Sequence, residues 1–313
     1  MTDSSTESST APAAGNGMLA AFSEGLSRAI ALAGQSTVAV HARHRMGSSG
    51  VHWRPGFVVT ADHTIKREDD ITLTLPNGQT VAAALVGRDS STDLAVLNLE
   101  ESACTVADLG DASSLSVGHI VLAAGRSAEN GLSASMGVVS ALGGGWRTWH
   151  GGQIDQFVRP DVTLYPGFSG GPLVDVQGRI IGINTSGPRH LALTIPAVTV
   201  NRVVDQLAQR GRISRGYLGV GLQPVRLPPA LTQTLHLEQT AGVIVLSIEA
   251  GGPSDTAGVL IGDVLLSLGG TPVGDIADVY AKLSTTPVGT PLTAQIVRGG
   301  GLVQIEIVVG DRP

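Results

Sequence analysis

A serine in a glycine-rich turn, a histidine at a strand exit and an aspartate at a strand entry are the residues of this chain that could do covalent chemistry together. Ser169 lies in the stretch 165–173, flanked by Gly167, Gly170 and Gly171 and bracketed by Pro166 and Pro172. A serine hydroxyl is a weak nucleophile until a base removes its proton. A glycine two residues before it lets the backbone turn N–H groups toward the oxygen that becomes negative when a carbonyl is attacked. Taken alone, the stretch reads equally well as a glycine-rich turn between strands. His63 ends the strand-like run 57–63, and Asp93 opens the apolar run 94–97. Alone, the histidine reads as structural and the aspartate as a strand cap. Together they supply a general base and the carboxylate that orients it, which a serine nucleophile needs. The other histidines, His41, His44, His52, His119, His150, His190 and His236, stand in no such pattern.

The elements that must position these residues are mostly strands. A chain of 313 residues suggests two domains. Its 42% apolar content is enough for sizeable cores, and abundant glycine with only 3% aromatic residues suits short strands and turns. From residue 36 to 199, short apolar runs alternate with turn signals: 37–40, 56–60, 71–75, 80–86, 94–99, 119–123, 136–141, 156–159, 172–174, 180–184 and 192–195. No long helix interrupts them, so a pair of antiparallel barrels or a sandwich is expected rather than a parallel α/β sheet. Helical spacing flanks this region. Leu19, Phe22, Leu26 and Ile30 recur within 18–32, and Val200, Val203, Val204 and Leu207 within 200–209.

Residues 1–17 are polar and read as a disordered tail. They lack a basic segment followed by an apolar one, so the cytoplasm is the expected compartment. No apolar run reaches the roughly 18–20 residues of a membrane span. A net charge of −6 without a basic stripe argues against nucleic acid as a partner. Cys104 is the only cysteine, which excludes an intrachain disulfide. No metal-ligand cluster and no Walker-type loop is present, so no metal, no cofactor and no ATP-driven step is expected.

Three boxes in this order, 60–63 around His63, 92–96 around Asp93 and 167–172 around Ser169, resemble the chymotrypsin-like serine proteases and, within them, the HtrA (Deg) family. The resemblance covers residues 18–313. It implies a mostly β chain: a double β-barrel protease domain at 18–210, then a small α+β PDZ domain at 211–313. It implies that Ser169 attacks a peptide carbonyl, that His63 moves its proton and that Asp93 holds the imidazole. The oxyanion hole falls on the N–H groups of Gly167 and Ser169, with help from Phe168. The specificity pocket falls on Thr163, Leu164 and Tyr165 together with Asn184, Thr185 and Ser186. With no carboxylate at Thr163, a small or medium apolar side chain is expected there.

Phe168 departs from the asparagine common at this position in the family, and from the aspartate that pairs with a new N-terminus in zymogens. Activation by chain cleavage is therefore not expected, and a low basal rate or regulation by loop ordering is left open. Segments 125–133 and 143–153 match variable regulatory loops. The second carries Trp146, Arg147, Trp149 and His150, which serve either as an interaction site or as a cover folded over the barrel.

Glycines set between apolar residues at 216–221 can expose successive N–H groups to a peptide carboxylate. The matching carboxylate-binding loop of HtrA-type PDZ domains falls on Tyr217, Leu218, Gly219 and Val220. The resemblance implies polypeptide substrates and C-terminal peptides as partners, and a homotrimer built on N-terminal aromatic contacts, for which Phe22 is the available residue. Two functional classes fit: an ATP-independent serine endopeptidase of protein quality control, or a chaperone-like, peptide-binding scaffold with a weak protease site.

Overall fold

The structure, a computed structural model, describes residues 14–43, 47–99, 104–148, 151–187, 191–214 and 216–311. Residues 1–13 of the expected tail lie outside these, as do His44, Trp149, His150 and His190. Residues 14–17, assigned to the tail, instead begin the first helix. The chain divides into two compact units, Met1–Ile213 and Ser214–Pro313.

Helix α1 (Ala14–Gly34) opens the first unit. Its Ala29 and Ala33 are buried, and Leu26 and Ile30 pack beside them. The helix ends where the Ser36 and Thr37 hydroxyls turn back to donate to the Ala33 carbonyl at 3.0 and 2.8 Å.

Six strands then close the first barrel: β1 (Thr37–His41), β2 (Ser48–Arg54), β3 (Phe57–Ala61), β4 (Ile71–Thr74), β5 (Thr80–Asp89) and β6 (Leu94–Asn98). Their spatial order is β1-β2-β3-β6-β5-β4, and β1 pairs with β4 to close the ring. The second barrel uses β7 (Ile120–Ser127) and β8 (Gly131–Gly143) and then, beyond a short hairpin of β9 (Trp146–Arg147) and β10 (Gln153–Ile154), β11 (Phe157–Asp161), β12 (Pro172–Val174), β13 (Ile180–Ser186) and β14 (Ala192–Pro196). Its order is β11-β14-β13-β12-β7-β8, closed by β11 against β8. All these pairings are antiparallel, so the barrels leave no open sheet edge.

Each barrel has its own apolar filling, around Val38, Leu73 and Leu97 in the first and Val121, Leu173 and Ile181 in the second. A third core takes residues from both barrels, including Val51 and Leu94 from the first and Val174 and Ile183 from the second. Helix α2 (Ala197–Arg210) seals it, with Val200, Val203, Val204 and Leu207 all buried. It stops at Gly211, in the left-handed region at φ 69°, whose N–H donates to the Leu207 carbonyl.

Strand β2 has no counterpart among the sequence-predicted runs. It is buried on both faces, so it shows no alternation, and it begins with the polar residues Ser48 and Ser49. Those serines are tolerated inside because each finds a partner: Ser48 Oγ donates to Thr64 Oγ1 at 3.0 Å, and Ser49 Oγ to the Gly167 carbonyl at 2.7 Å.

The second unit begins with β15 (Gly216–Tyr217) and β16 (Val220–Arg226), followed by α3 (Pro229–Thr234), β17 (Ala241–Ile248), α4 (Pro253–Thr256), β18 (Val264–Leu268) and β19 (Thr271–Pro272). Helix α5 (Ile276–Thr285), β20 (Pro291–Arg298), β21 (Gly301–Val308) and β22 (Gly310–Asp311) complete it. The main sheet runs β16-β17-β18-β20-β21, which makes β16 an edge strand. Asp275 caps α5 in a reciprocal capping box with Asp278. Among the described residues, no helix is long and apolar enough to cross a membrane.

Candidate active site and peptide-binding loop

The loop before β12 is built as two successive turns with Ser169 at its apex. Phe168 N–H donates to the Tyr165 carbonyl at 2.9 Å, and Gly167 sits at φ +95°. Proline second and glycine third is the pattern of a type II turn, whose third residue must take positive φ. Gly171 N–H then returns to the Phe168 carbonyl at 2.9 Å. Between them, Gly170 at φ +83° passes so close to β2 that a Cβ would lie 2.2 Å from the Ser49 carbonyl oxygen.

Both barrels pin this loop. Ser49 N–H donates to the Ser169 carbonyl at 3.1 Å, and Gly170 N–H to the Asn184 carbonyl at 2.9 Å. Ser49 Oγ holds the Gly167 carbonyl and itself accepts Arg126 N–H at 2.9 Å. The N–H groups of Gly167 and Ser169 donate to no carbonyl among the described residues. They are therefore free for an oxyanion. Phe168 N–H, expected to share that work, is consumed by the turn. The Phe168 side chain is an anchor instead: 3% exposed, edge-on to Tyr165 at 5.4 Å, and packed over Gly125 of β7, where a Cβ would lie 2.6 Å from the ring.

His63 leaves β3 on a single helical turn, Asp62–Thr64, tied by Thr64 Oγ1 to the Ala61 carbonyl at 2.7 Å. Asp93 enters β6 with φ +58°, a conformation that aspartate tolerates better than most residues. The preceding turn is held by the buried Asp89 carboxylate, which accepts Ser91 N–H at 3.1 Å, Ser91 Oγ at 2.6 Å and Thr92 Oγ1 at 2.7 Å.

The two turns meet. Asp62 N–H donates to the Asp93 carbonyl at 3.1 Å and His63 N–H to Asp93 Oδ1 at 2.8 Å. His63 Nδ1 lies 3.0 and 2.8 Å from the two carboxylate oxygens, and Thr185 Oγ1 donates to Oδ2. An ionised carboxylate can only accept, which assigns the proton to Nδ1 and leaves Nε2 as the basic nitrogen. No hydrogen bond joins Ser169 Oγ to His63 among the described residues; such bonds often tighten only when substrate is bound. Cys104 offers no rival nucleophile, because burial pushes its thiol up to about 11.

The expected specificity residues fall into separate groups. Asn184 is fully buried, its amide nitrogen donating to the Pro172 carbonyl at 2.7 Å and its oxygen accepting Thr194 Oγ1 at 2.9 Å. Its side chain is committed inside the barrel. Thr185 supports Asp93. Ser186 is exposed, as are Thr163 and Tyr165, while Leu164 is half-buried. A cavity of about 670 Å³ opens beside His63 and Asp93, with Thr185, Ser186, Trp146, Phe157, Leu191 and Leu193 on its walls. Thr163, Leu164 and Tyr165 are not among its lining residues.

Trp146 resolves one open alternative for its own side chain. It folds over the barrel, edge-on to Phe157 at 5.9 Å. The hairpin that carries it is tied to the Asp93 turn by Thr148 Oγ1, which donates to the Ser91 carbonyl at 2.6 Å.

In the second unit, Leu218 and Gly219 form the bend between β15 and β16, with Gly219 at φ +72°. The Leu218 carbonyl accepts Ser254 N–H at 3.0 Å and the Gly219 carbonyl accepts Glu249 N–H at 2.9 Å, while the Tyr217 hydroxyl donates to Glu249. The N–H groups of Leu218 and Gly219 donate to no carbonyl among the described residues, and Val220 begins the open edge of β16. Free N–H groups beside an open strand edge suit a carboxylate-ended peptide that adds as a strand.

Residues missed in the sequence reading are Ser49, Asp89, Arg88, Asp62 and Gly125. Each acts through a partner distant in the chain or through a local turn, and only Asp62 falls inside a motif, the box at 60–63. The acidic Asp62 directly before His63 was the one visible signal.

Two closed six-stranded barrels, with the His63–Asp93 pair and the Ser169 loop held between them, are the fold of the chymotrypsin-like serine proteases, here followed by a small α+β unit. Residues 48–183 match the trypsin-like peptidase domain and residues 216–309 the PDZ domain. The chain is 33% identical over 274 residues to a probable periplasmic serine endoprotease DegP-like of Pseudomonas fulva, covering 86% of this chain and 56% of that protein. It is 31% identical over 264 residues to the corresponding protein of Chlamydia pneumoniae, covering 82% and 53%. The chain thus spans about half the length of these curated relatives. Among solved structures, a variant of the HtrA-type protease AlgW with tripeptide is 30% identical, with a TM-score of 0.74, covering 92% of this chain and 97% of that one. The serine endoprotease from Yersinia pestis is 26% identical at a TM-score of 0.74, covering 92% and 98%. The chain belongs to the HtrA family of serine proteases, with a trypsin-like domain and one PDZ domain.

Proposed function

We propose that this chain is an ATP-independent serine endopeptidase of protein quality control that cleaves unfolded or C-terminally exposed polypeptides. The observation that carries this reading is the hydrogen-bonded His63–Asp93 pair beside a serine loop with two free N–H donors. In this reading Ser169 Oγ attacks the peptide carbonyl while His63 Nε2 takes its proton. The carbonyl oxygen becomes an oxyanion on the N–H groups of Gly167 and Ser169. His63 then protonates the leaving amine, and water hydrolyses the acyl-enzyme through the same steps. The second unit binds peptide C-termini at Tyr217, Leu218, Gly219 and Val220. The exposed Met18, Leu19 and Phe22 of α1 support assembly as a homotrimer, which sedimentation of the full chain tests.

A second reading, a chaperone-like scaffold with a weak protease site, rests on Phe168, which departs from the family's asparagine, and on the aromatic segment 143–153. The deciding experiment compares wild type with Ser169→Ala on unfolded β-casein, with and without a peptide ending in free apolar residues. The endopeptidase reading expects a rate loss on the order of 10⁴–10⁶ in the variant, and stimulation of the wild type by the peptide. Absence of both casein cleavage and fluorophosphonate labelling in the wild type refutes it and leaves the scaffold.

A further inference from the structure

The turn that carries His63 holds a second carboxylate. Asp62 precedes His63, is only 5% exposed, and lines the same cavity as His63 and Asp93. Acyl transfer has no use for it, since Asp93 already engages the imidazole Nδ1. A carboxylate near an imidazole favours its charged form. Arg88, at the end of β5, answers it. Its Nε donates to Asp62 Oδ1 at 2.5 Å, and Nη2 reaches the carbonyls of Asp62 and Ile65, each at 3.4 Å. The guanidinium therefore spans the turn from one end to the other and cancels the buried charge.

We propose that Asp62 and Arg88 are positioning residues for His63, an ion pair that fixes the turn and offsets the Asp62 charge, leaving Asp93 as the carboxylate that acts on the imidazole. The proposal rests on the endopeptidase reading and adds a control on its general base. Four further charged groups lie near the pair or on the cavity wall among the described residues. Asp93 faces the imidazole from its own turn. Glu68 accepts Arg88 Nη1 at 3.1 Å on the solvent side. Asp89, next along β5, is bound to Ser91 and Thr92, and Arg159 is on the cavity wall. All four stay in place in the test.

The test is a charge-reversal cycle read by NMR on the full chain. Ser169→Ala prevents self-cleavage, histidines carry the isotope label, and the His63 signal is assigned by its loss in His63→Gln. Arg88→Gln unmasks the carboxylate and raises the His63 titration midpoint by about half a pH unit or more. Asp62→Asn unmasks the guanidinium and lowers the midpoint by a similar amount, and the double variant returns to within about 0.2 units of the parent. A purely structural role predicts neither opposite signs nor cancellation. Shifts of the same sign, no shift, or a double variant that fails to cancel overturn the proposal. If Arg88→Gln does not fold, Asp62→Asn decides alone, because the Arg88 side chain is 34% exposed and can be hydrated without its partner. The midpoint is read without turnover. Fluorophosphonate labelling of wild type, run in parallel, reports on the endopeptidase reading separately.

Discussion

Gly125→Ala puts a single methyl group where the serine loop is anchored. Its Cβ would lie 2.6 Å from Phe168 Cδ1, 3.0 Å from Cε1 and 3.0 Å from Ser49 Oγ. None of these atoms can retreat freely. The Phe168 ring is 3% exposed and stands against Tyr165, and Ser49 Oγ is held between the Gly167 carbonyl and Arg126 N–H. The strain is relieved by moving the ring, and the ring moves the backbone of residues 167–169, which holds the proposed nucleophile and both proposed oxyanion donors. Overpacking of this kind costs about 1–3 kcal/mol. Spent on the population of attack-ready loop, that is roughly a 5- to 150-fold loss in kcat/KM, at about 1.4 kcal/mol for each factor of ten.

The assay is the rate of fluorophosphonate labelling and of β-casein cleavage, with thermal melting alongside. Gly125→Ala lowers both rates within that range and lowers Tm by about 2–4 °C for each kcal/mol. Gly125→Ala/Phe168→Leu removes the ring edge and recovers most of the loss. A Gly125→Ala protein that labels and melts like wild type refutes the anchoring role of Phe168. A loss that Phe168→Leu leaves untouched assigns the effect to Ser49 instead.

Ser49→Ala releases the Gly167 carbonyl and removes an acceptor from Arg126 N–H; a hydrogen bond contributes about 0.5–1.5 kcal/mol net, so labelling slows by about 2- to 12-fold, and an unchanged rate shows that the main-chain contacts suffice. In the second unit, burial pushes the Asp263 carboxyl up, but hydrogen bonds from Arg298 and Leu260 N–H and the Arg298 charge outweigh it and leave the carboxyl below its usual range. A folded value below the unfolded one gives stability that is present above the unfolded carboxylate value and is lost as pH falls through the folded one. The stability gap between wild type and Arg298→Gln, read by amide exchange in the second unit, is therefore full at pH 7 and shrinks below about pH 4; a gap that stays constant down to pH 2 contradicts this.

How much of the site was legible in the sequence follows from how local its causes are. Ser169, His63 and Asp93 were readable because each sits in its own short motif, and the glycine pattern of the serine loop encodes its turns directly. Strand β2 was not readable. Its serines are polar in sequence and buried in space, and their partners Thr64 and Gly167 come from other parts of the chain. Asn184 and Thr185 look alike as pocket candidates, yet one is spent inside the barrel and the other on Asp93, a difference set by the register of β13 against β12 and β14. Phe168 read as a departure from the family pattern, and only the missing Cβ at Gly125 shows why the ring fits. The amphipathic stripes of α1 and α2 gave their existence, while their ends were set by caps and contacts beyond the periodic residues.

The hydrogen bonds around the site also explain why neither barrel could hold it alone. Ser169 belongs to the second barrel, but its loop is held by Ser49 from β2 of the first. Asp93 belongs to the first barrel, but its carboxylate takes a hydroxyl from Thr185 in β13 of the second. The Asp93 turn is tied again by Thr148, from the hairpin before β11. Each barrel thus fixes the other's reactive group, across a core that both share. A shift of one barrel against the other loosens the serine loop and the Asp93 carboxylate at the same time. The main chain of Asp62 and His63 follows Asp93 through two hydrogen bonds, so the histidine turn moves with the Asp93 turn. In such a site a small displacement at the seam costs far more activity than stability, because catalysis needs the three groups aligned together while folding needs only the cores to stay filled.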